Sequence, residues 1–75
     1  MSPQSILVGK TYANRGKGRT IRTVLGIGDE YRPTSWFSDT TPPDEPGVYF
    51  VDNNGRHGRL YLSSFASWAG KEVQE

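Results

Sequence analysis

Val48-Tyr49-Phe50-Val51-Asp52-Asn53-Asn54-Gly55-Arg56-His57-Gly58-Arg59-Leu60-Tyr61-Leu62-Ser63-Ser64-Phe65-Ala66-Ser67-Trp68-Ala69 is the stretch whose reading decides the fold. Val48 to Asp52 reads as the clearest strand. Asn54-Gly55 predicts a two-residue hairpin, because both positions tolerate the positive φ that a type I′ turn requires. A returning strand follows from Arg56 to Leu62, with Leu60 and Leu62 on one face and Tyr61 on the other. Ser63 or Ser64 is placed to cap a short helical turn from Phe65 to Ala69. Phe65 and Trp68 fall three residues apart there, point the same way and read as a plug for the core. Gly70 ends the turn, and Lys71-Glu72-Val73 supplies a short closing strand.

Toward the N-terminus, apolar periodicity again reads as strand, punctuated by Gly, Asn and Pro. A first strand is predicted from Leu7 to Asn14, with Val8 and Tyr12 facing the core. Gly16-Lys17-Gly18 makes a turn. A second strand, Thr20 to Ile27, puts Ile21, Leu25 and Ile27 on one face and Arg22 and Val24 on the other. Gly26 and Gly28 mark a bulge or bend. From about residue 29 to 46 the pattern is lost in a long acidic, Pro-rich loop, well above the usual length of a connection. This element order predicts an all-β fold, a small SH3-like five-stranded barrel with one short helical turn before the last strand. It forms a single domain over residues 1–75. A barrel removes the free edges that a small β protein must otherwise protect.

The chain has 75 residues, of which 33% are hydrophobic, with nine Gly, five Pro, no Cys and a formal net charge of +1. A chain this short buries only about 60% of the surface its unfolded form exposes. Without cysteine, neither a disulfide nor a thiolate metal site can reinforce it, so idealised packing, a ligand or a second copy must do so, and a homo-oligomer is anticipated. No apolar run exceeds four residues, far short of a membrane span, so no membrane partner is expected. The composition reads as soluble, unprocessed and cytoplasmic. The near-neutral sum hides segregation. Arg15, Lys17, Arg19 and Arg22 place four positive charges within eight residues, whereas Asp29, Glu30, Asp39, Asp44 and Glu45 acidify the middle.

Several catalytic and cofactor motifs are excluded. Gly9-Lys10-Thr11 lacks the upstream glycine of a phosphate-binding P-loop, because position 4 is Gln. Gly26 and Gly28 lack the third glycine and the helix of a dinucleotide fingerprint. His57 is the only histidine and has no metal-ligand constellation around it. As a general base it would need Ser63 or Ser64 as nucleophile, and neither has an evident orienting acid. The expectation is no enzyme, no metal and no cofactor.

The positive features are two. Arg15, Lys17, Arg19 and Arg22 surround a glycine turn whose amides can approach an anion, and arginine forks bind phosphate oxygens in pairs and stack on bases. Tyr31, Trp36 and Phe37 place three aromatics in a seven-residue stretch of a polar loop, fit to stack on a base or insert into a partner. Arg56, His57 and Arg59 are auxiliary candidates. The plain readings stand beside these: a solvated basic turn, and aromatics that merely pin the loop.

Val8-Gly9-Lys10-Thr11-Tyr12, Arg19-Thr20-Ile21-Arg22-Thr23-Val24 and Gly58-Arg59-Leu60-Tyr61-Leu62-Ser63-Ser64-Phe65-Ala66-Ser67-Trp68-Ala69 together resemble small uncharacterised accessory proteins of bacteriophages and prophages. The likeness does not extend to the acidic loop. It implies a phage product that acts on host machinery or host immunity. The leading expectation is a non-catalytic anti-defence protein that binds an anionic ligand such as a nucleotide signal. The alternatives are an inhibitor that docks on a host immune or transcription complex, and a KOW-like module with weak nucleic-acid binding. The latter is disfavoured because the acidic loop cancels part of the basic field.

Overall fold

The computed structural model describes residues 1–16, 19–33 and 44–73. It is mostly β. Among the described residues, five antiparallel strands form one sheet: β1 (Thr11–Asn14), β2 (Ile21–Gly28), β3 (Gly47–Asp52), β4 (His57–Tyr61) and β5 (Ala69–Val73). Their order is β4-β3-β2-β1-β5, so β4 and β5 form its two edges. A helix, α1 (Leu62–Trp68), runs directly from one edge strand to the other. No helix among the described residues is long and apolar enough to cross a membrane.

One face of the sheet builds the core. Tyr12, Val24, Val48 and Phe50 project from it onto Phe65, Ala66 and Ala69, and Ile6 closes the cluster from the N-terminal segment. Phe65 is the centre, with no exposed surface. Its ring meets Tyr12 edge-on at 5.8 Å, Phe50 at 5.6 Å and Trp68 at 5.2 Å. Burial of one such side chain stabilises by about 1.5–3 kcal/mol, so a single aromatic on α1 holds strands and helix together. The Tyr12 hydroxyl is buried but satisfied: it donates to the Ser5 carbonyl and accepts from the Leu7 amide, both at 2.8 Å. Those two bonds tie the N-terminal segment across the core.

Several sequence expectations are corrected. Leu7 to Lys10 is a turn rather than strand: the Lys10 amide donates to the Leu7 carbonyl at 3.3 Å, and Gly9 has φ 86°. Val8 consequently faces solvent at 58% exposure. In β2 the core parity is the opposite of that expected. Val24 is buried and Leu25 is 45% exposed, because the register with β3 shifts between Val24 and Gly26. The bulge expels Leu25 and returns Ile27 to the core side, which a strict two-residue period cannot anticipate.

The β3–β4 connection is also not the expected type I′ turn, since Gly55 (φ 80°) is its only positive-φ residue. The Gly55 amide donates to the Asp52 carbonyl at 3.1 Å and the Asp52 amide to Arg56 at 2.9 Å, giving a three-residue loop that ends in a left-handed glycine. Finally, α1 starts at Leu62 and receives no side-chain cap from Ser63 or Ser64. Ser63 instead donates its amide at 3.0 Å and its hydroxyl at 2.6 Å to Glu45 Oε1, which anchors the end of the long loop.

Candidate anion-binding site

The β1–β2 hairpin carries the basic cluster, and the geometry beside it is set by a bulge in β5. Ala13 pairs with Lys71 but Asn14 pairs with Ala69, which leaves Gly70 as the extra residue. A Cβ on Gly70 would stand 2.9 Å from Arg15 Cα, so only glycine admits the hairpin this close. The Arg15 amide then reaches the Trp68 carbonyl at 3.1 Å, fixing the hairpin base to the end of α1. Gly16, with φ 81°, turns the chain away.

A hollow of about 600 Å³ lies between the hairpin and β5, lined by Ala13, Asn14, Gly16, Arg19, Ile21, Lys71, Glu72 and Val73. A shallower one of about 320 Å³ adjoins it, lined by Asn14, Arg15, Gly16, Gly70 and Lys71. Arg15, Arg19 and Lys71 are all exposed; Arg19 and Lys71 line the larger hollow together with Glu72, and Arg15 and Lys71 line the smaller one. Asn14 belongs to both hollows. Its Nδ2 donates to the Arg15 carbonyl at 3.0 Å, while its Oδ1 is buried with no hydrogen-bond partner. The larger hollow has the volume of a small-molecule site.

Not every sequence candidate converges there. Arg22 lies on the core face, its guanidinium carbon 4.6 Å from the Phe50 ring centre and 4.4 Å from that of Trp68. Desolvation lowers its pKa from the ordinary arginine value, and nearby Asp52 partly opposes that. Tyr31 closes a 3-10 turn, Asp29–Tyr31, and stacks on Tyr49 at 5.5 Å, at the β3 side of the sheet. Lys17, Trp36 and Phe37 lie outside the described residues. Arg56 is exposed in the β3–β4 loop, and His57 and Arg59 are exposed on β4. Among the described residues, no three His, Asp or Glu side chains gather as a metal cluster would need.

Lys71, Asn14 and Gly70 are site residues that the sequence reading did not single out. They enter through the β1–β5 pairing, a contact between distant parts of the chain with no local signature. Compared with protein-family models, curated proteins and solved structures, the chain matches none.

Proposed function

We propose that the chain is a non-catalytic binding protein of bacteriophage type that holds an anionic ligand of the nucleotide class and so counters or redirects a host process. The reading rests on one observation above all, two adjoining hollows that share Lys71, the larger lined also by Arg19 and the smaller by Arg15, beside the glycines of the turn and the β5 bulge. Arginine forks and a lysine ammonium suit phosphate oxygens. An SH3-like barrel is the architecture we assign, with α1 bridging the two edge strands as its closure. A second copy that covers the open side of the hollow would complete the enclosure, in keeping with a homo-oligomer.

Isothermal titration with inorganic phosphate, mononucleotides and cyclic dinucleotides tests this. Binding by at least one nucleotide is expected, weakened about tenfold or more by Arg19→Ala or Lys71→Glu, since a charge-assisted hydrogen bond contributes roughly 1.5–3 kcal/mol. Failure of every nucleotide to bind, or binding indifferent to both substitutions, overturns the reading.

A second reading, docking on a host protein complex, is favoured by a different observation. Leu7, Val8 and Leu25 are 51%, 58% and 45% exposed. The Gly9 amide bonds the Val24 carbonyl at 2.9 Å, which brings the turn and the bulge side by side. Val8→Glu should release a captured host protein without unfolding the chain.

A further inference from the structure

The sheet face opposite the core carries a second cluster that the hollow does not use. Tyr49 projects from β3 between two buried core residues, Val48 and Phe50, and therefore points outward. Its partner on β2 is Gly26. A Cβ there would stand 2.5 Å from Cε2 of Tyr31, so the bare backbone of Gly26 gives the Tyr31 ring its place. The two tyrosines lie nearly parallel, 8° apart, with centroids separated by 5.5 Å. On the other neighbour, β4, Arg59 is directly opposite Tyr49, and its guanidinium carbon lies 5.8 Å from the Tyr49 ring centre. His57 stacks on Tyr49 at 5.6 Å and 20°. A row of flat groups thus crosses β2, β3 and β4, ending on the exposed His57 and Arg59 with exposed Arg56 next in the chain.

We infer that this row is a binding platform for single-stranded nucleic acid, taking an unpaired base against Tyr49 and His57 and its phosphate on Arg56 and Arg59. Tyr31 and Tyr49 are half-buried, and the exposed His57 that ends their row offers a flat face that a base can extend, while arginine supplies both stacking and phosphate contact. The rings are not needed for the core, which Val48 and Phe50 fill from the other side of β3. The arginines favour a polyanion over a neutral proline-rich peptide, the other ligand that aromatic rows receive. Glu30, next to Tyr31 in the chain, keeps its carboxylate close to Gly28. This site is separate from the hairpin hollow and does not depend on it.

Fluorescence anisotropy with labelled oligo-dT and oligo-U of about eight nucleotides tests the assignment on the full chain. Binding is expected, with His57→Ala and Tyr49→Leu each weakening it about tenfold and Tyr49→Phe retaining it. Arg59→Ala should reduce the slope of log affinity against log salt by about 0.7. His57 and Arg59 are exposed, so those variants keep the fold even if Tyr49→Leu does not. Arg19→Ala, which weakens the nucleotide site, should leave oligonucleotide binding unchanged. Absence of oligonucleotide binding, indifference to His57→Ala and Arg59→Ala, or capture of a polyproline peptide in its place overturns the platform without touching the hollow.

Discussion

The guanidinium of Arg22 lies over the Trp68 indole, its central carbon 4.4 Å from the ring centre. Trp68 ends α1, whereas Arg22 belongs to β2, so the contact joins helix to sheet at the margin of the core. Phe50 receives the same guanidinium at 4.6 Å. Arg22 is therefore a packing residue as much as a charge, and its hydrocarbon stem covers apolar surface. Arg22→Ala should lower stability by about 1–2 kcal/mol, read as an earlier midpoint in urea, while nucleotide affinity at the hairpin hollow stays the same. Loss of nucleotide affinity in a variant of unchanged stability would return Arg22 to the binding site.

The Asp52 side chain organises the β3–β4 loop. Its Oδ1 accepts from the Arg56 amide at 2.9 Å and the Asn54 amide at 2.8 Å. The Arg56 amide bond is the largest cause of a carboxyl pKa below the ordinary aspartate value, with the Asn54 amide and the charges of Arg56 and Arg22 adding to it against some desolvation. A carboxyl whose folded pKa lies below its unfolded value, near 3.9, adds stability that is present above the unfolded value and fades as the pH falls through the folded one. Melting temperatures measured from about pH 7 down to about pH 2 should therefore converge for the wild type and Asp52→Asn at the acid end. At neutral pH the wild type should melt higher. A constant gap across the series would remove Asp52 from the loop's stability.

Two glycines in neighbouring strands should respond differently to the same added methyl group. At Gly47 a Cβ would collide with the Tyr31 carbonyl and the Arg32 amide, which are main-chain atoms and cannot rotate away. Gly47→Ala should cost about 1–3 kcal/mol as the 3-10 turn is pushed off the sheet. At Gly26 the obstacle is the Tyr31 ring, which can swing aside. Gly26→Ala should keep most of the stability yet lose the Tyr31–Tyr49 stack, seen as a changed near-ultraviolet circular dichroism spectrum. Equal destabilisation by both would contradict this division.

Much of the β order is legible without coordinates. Alternation marks Val48 to Asp52 and the interior positions Tyr12 and Phe65, because a residue's side in a strand and its spacing in a helical turn are local properties. The boundaries of α1 and of β1 differ from those the local pattern predicts, for an equally physical reason. Glu45 competes for Ser63, and the Gly9 turn pairs with β2 by its backbone, and neither partner is close in sequence. In β2 the bulged Leu25 breaks the alternation, so that Val24 before it and Ile27 after it both face the core although they are an odd number of residues apart.

The candidate sites divide in the same way. Residue types and their clustering along the chain determined by themselves that Arg15 and Arg19 stand near a glycine turn, and that Arg56, His57 and Arg59 share a short segment. Only the tertiary structure decided that Lys71 and Asn14 join the first group, that Arg22 leaves it for Phe50 and Trp68, and that Tyr49 unites Tyr31 with His57 and Arg59. Charge and aromaticity are written residue by residue. Which of them meet depends on strand register, on two bulges and on the close approaches that Gly26, Gly47 and Gly70 permit, and those are set when the whole sheet closes over one core.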